Sequence, residues 1–377
     1  MRFGGFSDLW KKSTIEKNAK VYDGTHQTPI YTKSGVKFVS VENINDLYSS
    51  DKYISVDDYN SDFKYVPEIN DILMTRIGDI GTPALVTKSE PLAYYVSLAL
   101  LKEIDLEPHF LYHYIQTAPF QKELWRRTLH VAFPKKINKN EIGDCAIFYP
   151  STRCEQKKIA LFLDGIEKRI KIQNKIISDL KVLKKELCNK VFSKGSAVRI
   201  GDFIEEVTTR NKSNSCENVL SVSNKMGFIK QSEQFEDRTV ASEDKRNYKV
   251  VTEGCFAYNP ARINVGSIAL LSTQKIGIIS PMYVCFKTKN PLNSEYLNFY
   301  YQSGFFYKEL QKKLEGSVRQ CLTYENMSEI LIPYIGIEEQ KTIAAALNKF
   351  ATLIANEEKY LKSLQKQKSY FLSAMFI

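Results

Sequence analysis

The 377-residue sequence predicts an α+β fold laid out as a pseudo-twofold internal repeat, with two globular domains separated by an antiparallel two-helix coiled coil. Three observations predict it. Segments recur at nearly constant spacing; two long stretches carry apolar residues alternately four and three apart; and ahead of each lie β-rich runs punctuated by Gly, Pro, Asn and Asp. The repeat is explicit in Glu155-Gln156-Lys157-Lys158-Ile159-Ala160, which returns as Glu339-Gln340-Lys341-Thr342-Ile343-Ala344. Likewise Phe110-Leu111-Tyr112-His113-Tyr114-Ile115-Gln116 returns as Tyr296-Leu297-Asn298-Phe299-Tyr300-Tyr301-Gln302. The spacing drifts only between 181 and 186 residues, too long for one solenoid unit and suited to a duplicated domain.

The first globule spans 1–150. Lys37-Phe38-Val39-Ser40-Val41 and Ala93-Tyr94-Tyr95-Val96-Ser97-Leu98 read as strands, and 108–126 as one amphipathic helix. Pro150 then punctuates the start of a long helix over 151–193. The second globule, 194–333, repeats the scheme with strands at Asn218-Val219-Leu220-Ser221-Val222 and Pro281-Met282-Tyr283-Val284-Cys285-Phe286, and a helix over 294–314. Pro333 precedes the second long helix, 334–377. The aromatic rows Tyr112, Tyr114 and Tyr296, Phe299, Tyr300, Tyr301 fall at helical spacing and read as core.

Each long helix offers a ten-position seam, Ile159 to Val191 and Ile343 to Met375, with eight positions apolar and the polar exceptions at the same two places. Such persistence argues for a coiled coil. Parallel pairing would set Lys184 beside Lys368 in an apolar seam. Antiparallel pairing sets Lys184 opposite Glu357 and Gln173 opposite Lys368, so these four residues are expected to fix the register. About 33 residues at ~1.5 Å rise make a spacer of roughly 50 Å, a ruler between the globules. On duplex DNA that spans on the order of ten to fifteen base pairs, and one added heptad in both helices would lengthen the span by roughly three.

Lys+Arg outnumber Asp+Glu by 53 to 43, a net charge of +10 that favours a polyanionic partner. With 43% hydrophobic and 25% charged residues the chain is globular rather than disordered. Seven scattered cysteines without Cys-x-x-Cys, and only four histidines, exclude a zinc ribbon and a disulfide scaffold; reduced thiols and a cytoplasmic location are expected. His109, His113 and His130 show no partner set for metal or acid–base work. No apolar run is long enough to span a bilayer, and no apolar signal segment follows Met1. The sequence carries no Gly-x-x-x-x-Gly-Lys-Ser/Thr phosphate loop. Asn259-Pro260-Ala261-Arg262 opens like the Asn-Pro-Pro-aromatic motif of adenine methyltransferases, but lacks the second Pro and the ring that stacks a flipped base.

The Glu-Gln-Lys-x-Ile-Ala opening of each long helix, repeated between two variable domains, resembles the specificity subunit of Type I restriction–modification enzymes. Tyr22-Asp23-Gly24-Thr25-His26-Gln27-Thr28-Pro29 with Phe38-Val39-Ser40-Val41-Glu42-Asn43-Ile44 resembles a first target-recognition domain of that family, and Tyr258-Asn259-Pro260-Ala261-Arg262-Ile263-Asn264-Val265-Gly266 a second. The resemblance covers essentially the whole chain. It implies a non-catalytic protein that binds double-stranded DNA and positions two methyltransferase subunits, with restriction subunits in the full complex. It also implies that S-adenosylmethionine, ATP and magnesium are bound by those other subunits.

Under this resemblance, Asp23, Gly24, Thr25, His26, Gln27 and Thr28 form a DNA-facing loop of short hydrogen-bonders around a glycine that admits a close backbone. Arg76 and Arg262 hold corresponding places and suit a bidentate contact to guanine, although an acid such as Asp79 is an equally ordinary partner for Arg76. Arg210 and Lys212 match the first loop's position in the second domain, or are solvated loop charges; Asn264 suits adenine or a turn, and Asn259 joins the DNA-binding set through the Tyr258–Gly266 resemblance; Arg319 and Gln320 follow the second amphipathic helix, with Arg126-Arg127 as a looser counterpart. Glu155, Gln156, Glu339 and Gln340, in two equivalent copies, are expected to dock the partner subunits; the acids also suit the helix dipole. The rival readings are a coiled-coil adaptor joining two protein-binding globules and an enzyme fused to recognition domains.

Overall fold

The computed structural model describes residues 1–224, 226–234, 244–314 and 320–376. The chain divides into two compact units, Met1–Asn174 with Lys359–Ile377, and Lys175–Glu358.

The first unit holds strands β1 (Lys11–Thr14), β2 (Lys20–Asp23), β3 (Val36–Val39), β4 (Tyr53–Ile54), β5 (Ile72–Ile77), β6 (Asp79–Leu85), β7 (Leu92–Tyr94), β8 (Leu98–Lys102) and β9 (Ala146–Tyr149), with helices α1 (Val56–Asp62), α2 (Pro108–Ile115), α3 (Ala118–Arg127) and α4 (Lys139–Gly143). An antiparallel sheet runs in the order β2-β8-β5-β6. Its central strands read as unbroken apolar runs, Ile72-Leu73-Met74 and Leu98-Ala99-Leu100-Leu101, because both faces are covered. Ile72, Met74, Ala99 and Leu101 pack under Phe110, Tyr114, Phe120 and Leu124 of the helices. Leu73, Leu98 and Leu100 point the other way, onto Val39, Leu92 and Tyr94 of the β4-β3-β7 sheet.

The second unit holds β10 (Ser196–Arg199), β11 (Ile204–Glu206), β12 (Val219–Ser223), β13 (Gly227–Lys230), β14 (Lys249–Thr252), β15 (Cys255–Tyr258), β16 (Ile268–Leu270), β17 (Ile276–Ile279), β18 (Val284–Thr288) and β19 (Leu331–Tyr334). The long helix between the globules is α5 (Arg153–Phe192); α6 (Gln231–Gln234), α7 (Ser294–Tyr301), α8 (Gly304–Gln311) and α9 (Tyr324–Ser328) follow, and the last long helix is α10 (Ile337–Met375). Sheet order β11-β18-β15-β16 repeats β2-β8-β5-β6, and the parallel pair β12–β17 repeats β3–β7. Each globule is also closed by an antiparallel ribbon of its first and last strands, β1–β9 and β10–β19. The duplication inferred from sequence is therefore present in both sheets and in the closing ribbon, with β14 added at the edge of the second unit's smaller sheet.

The unit boundary falls inside both long helices. Within the first unit Phe162 meets Phe371 edge-on with centroids 4.8 Å apart, and Arg169 donates to the Tyr360 hydroxyl, so α5 and α10 run antiparallel there. Within the second unit Lys181 pairs with Glu358 at 2.6 Å, and Cys188 and Phe192 share a core with Ala344 and Leu347.

The structure differs from the expected seam at its polar layers. Lys368 donates to Glu167 and, at 2.7 Å, to Gln116, rather than lying opposite Gln173. Lys184 donates to Gln302 at 3.4 Å and lies 5.1 Å from the Phe299 ring, rather than being held by Glu357. Gln116 and Gln302 occupy equivalent places just past the ends of α2 and α7, so both lysines tie their helix to the adjoining globule. The helices expected over 108–126 and 294–314 are each broken in two. Pro119 in the first turn of α3 lacks the N–H that a continuous helix would use, and Ser303 caps α8 by accepting from Phe306 N. The run 93–98 is likewise two strands, β7 and β8, joined through a turn in which Leu98 N donates to Tyr95 O.

Candidate nucleic-acid interface

In the first unit, three segments singled out in the sequence converge. The Arg76 side chain, at the end of β5, is buried: its guanidinium pairs with Asp23, its Nε donates to Ile137 O at 3.0 Å, and burial lowers its pKa from the ordinary value. Arg76 and Asp23 are thus partners of each other rather than free to read a base, and the acid that holds Arg76 is Asp23, not Asp79; Asp79 accepts from Thr82. Gly24 is buried as well. A Cβ there would fall 2.6 Å from the Tyr95 carbonyl, so the glycine admits the neighbouring strand's backbone and not DNA. Thr25 continues that docking, its N–H donating to Tyr94 O. What the loop presents outward is His26, Gln27 and Thr28, all exposed.

The same Arg76 fixes a hairpin that sequence reasoning did not single out. Ile137 N donates to Arg76 O, Gly78 N to Lys135 O, and Leu129 N to Lys136 O, so 129–136 is pinned to the β5–β6 turn. Its exposed Lys135 and Lys136 lie next to the turn that carries Gly78. The paired lysines after Pro134 were the available signal.

In the second unit Arg262 and Asn264 are exposed, on the short connection between β15 and β16. Asn259 is buried and shapes that connection: its side chain accepts from Ala261 N at 3.0 Å and its carbonyl accepts from Arg262 N. It is therefore a turn former, not a base reader. Arg262 borders a cleft of about 440 Å³ lined also by Ser221, Ser223, Asn224, Ser267 and Tyr283, whose hydroxyls and amide offer donors and acceptors. Arg210 is exposed, with its guanidinium donating to Asn247 O, and Lys212 is exposed nearby. Gln320 is exposed; Arg319 lies outside the described residues.

The residues expected to dock partners are mostly spent on internal structure. Gln156 accepts from Glu107 N at 2.9 Å and donates to Pro150 O at 2.9 Å. Gln340, fully buried, accepts from Asn293 N at 2.8 Å and donates to Ile335 O and Pro291 O. Glu107 and Asn293 are the caps of α2 and α7, so each glutamine holds the start of the globule helix whose far end the lysine holds. Glu155 is buried under a bidentate pair with Arg2, at 2.6 and 2.7 Å. Only Glu339 of the four is exposed.

His109 and His113 do have partners. Both lie 2.8 Å from Asp164 of α5, and Glu167 accepts from the Tyr112 hydroxyl and from Lys368. The bond to Asp164 raises the His109 pKa; burial pushes Asp164 up, but hydrogen bonds from the two histidines hold it well below the usual carboxylate range. The Lys368 ammonium already supplies the cation at Glu167, so this is a polar tie between α2, α5 and α10. Among the described residues no helix is long and apolar enough to cross a membrane.

A duplicated α+β globule, its basic and hydrogen-bonding loops exposed and its helices clasped to long rods, defines a protein built from two like recognition modules. The chain belongs to the Type I restriction modification DNA specificity domain family, whose model matches residues 4–182 and again 196–366. Its fold is similar to that of a Type I restriction-modification S subunit from M. genitalium, with TM-score 0.65 and 14% identity over 100% of this chain and 99% of that one. It is also similar to a chain from a structural study of complex assembly and conformational transition in a Type I R-M system, with TM-score 0.54 and 14% identity over 97% of each.

Proposed function

We propose that the chain reads an asymmetric, two-part site on double-stranded DNA, one part with each unit, and carries two methyltransferase subunits to it. The observation that supports this most is that the two units share strand order while exposing unlike loops, His26-Gln27-Thr28 with Lys135-Lys136 in one and Arg210, Lys212, Arg262 and Asn264 in the other. Like scaffolds with unlike surfaces bind like partners but unlike base sequences. In this reading the chain performs no chemistry. S-adenosylmethionine, ATP and magnesium belong to partner subunits, and a restriction subunit joins the same assembly.

The exposed hydroxyl, amide and guanidinium groups supply hydrogen bonds to base edges, while the net charge of +10 supplies the phosphate attraction. Methylome sequencing of cells with and without the chain and its methyltransferase partner tests the proposal. A methylated motif of two unlike parts separated by an unread gap, present only with the chain, is the expected outcome. A continuous or palindromic motif, or an unchanged methylome, contradicts it. Binding of duplex DNA that does not weaken steeply with salt would favour the adaptor reading instead.

A further inference from the structure

The hairpin 129–136 ends in two apolar side chains that touch nothing. Val131 and Phe133 are 99% and 104% exposed, whereas Ile137 immediately after them is fully buried. The hairpin is not a loose excursion. Its stem is closed by Leu129 N donating to Lys136 O at 2.8 Å, it is pinned to the β5–β6 turn by Gly78 N and Ile137 N, and His130 lies against the Trp125 ring at 4.3 Å. A braced stem that presents a bare Phe is pre-organised for something that takes apolar groups.

The surrounding charge says what. Arg126 and Arg127 are paired with Glu123 and Glu141, which leaves Lys135, Lys136 and Lys139 as the basic groups of 128–140, a stretch with no acidic residue. All three are exposed, Lys135 and Lys136 on the returning arm of the hairpin and Lys139 at the start of α4. A protein partner would have to bring an apolar socket inside an acidic rim. Duplex DNA has that arrangement as its ordinary surface, apolar base-pair faces between two lines of phosphates.

We propose that Phe133, flanked by Val131, is a wedge that enters DNA from the minor groove and unstacks one base step in the part of the site read by the first unit, while Lys135 and Lys136 hold the phosphates beside it. Such wedges kink the duplex and favour pyrimidine–purine steps, which unstack most easily. The wedge therefore selects sequence at a step where it makes no hydrogen bond. The inference rests on the DNA-reading function proposed above.

The test uses the full chain and a duplex enriched by it from a random library, with 2-aminopurine placed at each position in turn. Emission should rise several-fold at one step on binding. Phe133→Ser and Val131→Ser should abolish the rise and weaken binding roughly 5- to 100-fold, the range of a lost base contact, with the dependence on salt unchanged. Phe133→Leu should restore most of both, while Lys135→Ala should instead lower the salt slope by about 0.9. If no position brightens, or the serine variants bind and brighten as the parent does, the wedge is wrong and DNA reading stands. Loss of a co-purifying methyltransferase subunit with DNA binding intact would overturn it in favour of a protein contact. Enrichment of no duplex at all would overturn the wedge and the underlying function together.

Discussion

Replacing Gln340 with Leu tests whether the glutamine opening each long helix is a clasp or a docking point. Gln340 is fully buried and satisfies three main-chain groups: Asn293 N–H at 2.8 Å, Ile335 C=O at 2.8 Å and Pro291 C=O at 3.2 Å. Leucine fills similar space but satisfies none of them. An unsatisfied buried polar group costs about 1–3 kcal/mol, and Pro291 is exposed and Asn293 partly so, so the three together cost roughly 2–4 kcal/mol. For a unit of this size that lowers the thermal midpoint by about 5–15 °C. Gln340→Glu should do no better, since a carboxylate accepts from Asn293 but cannot donate to the two carbonyls. Exposed Glu339→Ala should change stability by less than about 0.5 kcal/mol. Thermal unfolding of the full chain, with amide exchange at the start of α7, measures both. A midpoint that stays within a degree while partner subunits are lost would refute the clasp.

Arg76→Ala should destabilise the first unit by about 1–3 kcal/mol, because it leaves Ile137 O without its donor and the partly exposed Asp23 without its cation; amide exchange should quicken in 23–28 and 129–137 together. Gly24→Ala should lower the thermal midpoint of the full chain by more than 5 °C, or about 2 kcal/mol, since its Cβ meets the main chain of Tyr94 and Tyr95. Arg262→Ala should relax base preference at one position of one part of the site, read by sequencing of selected duplexes, whereas a uniform loss of affinity would mark a phosphate contact. The His109–Asp164 tie predicts a pH window. His109, facing Asp164, Glu107 and Glu167, has a raised pKa, so its stabilisation is complete below its ordinary 6.5 and fades as pH rises through the folded value. Asp164 is depressed, so its contribution is complete above its ordinary 3.8 and fades only in stronger acid. Thermal midpoints should therefore fall from pH 6 toward pH 9, and His109→Gln should flatten that fall.

The duplication and the long helices were legible because spacing and periodicity are properties of sequence alone. The seam partners were not. Lys184 and Lys368 stand at equivalent polar places, and complementary charges across the seam explain that pattern as well as a pair of ties to Gln302 and Gln116 does. Only the folded chain brings Gln116 beside Lys368, because that contact depends on how the globule leans on the rod. The same holds for Arg76, whose partner Asp23 sits 53 residues away, and for the histidines, whose shared Asp164 lies on another helix. Exposed loop residues such as Gln27, Arg262 and Lys212 are legible in the sequence because turn chemistry and charge are local. Val131 and Phe133 are not legible in the same way, because an apolar residue in a turn has the sequence signature of core whether it is buried or exposed.

Both clasping glutamines grip main-chain atoms, Glu107 N and Pro150 O in one unit, Asn293 N, Ile335 O and Pro291 O in the other. A mount that grips backbone is indifferent to the side chains it carries. Each globule can change its exposed loop residues, such as His26 to Thr28 or Arg262, without disturbing these bonds.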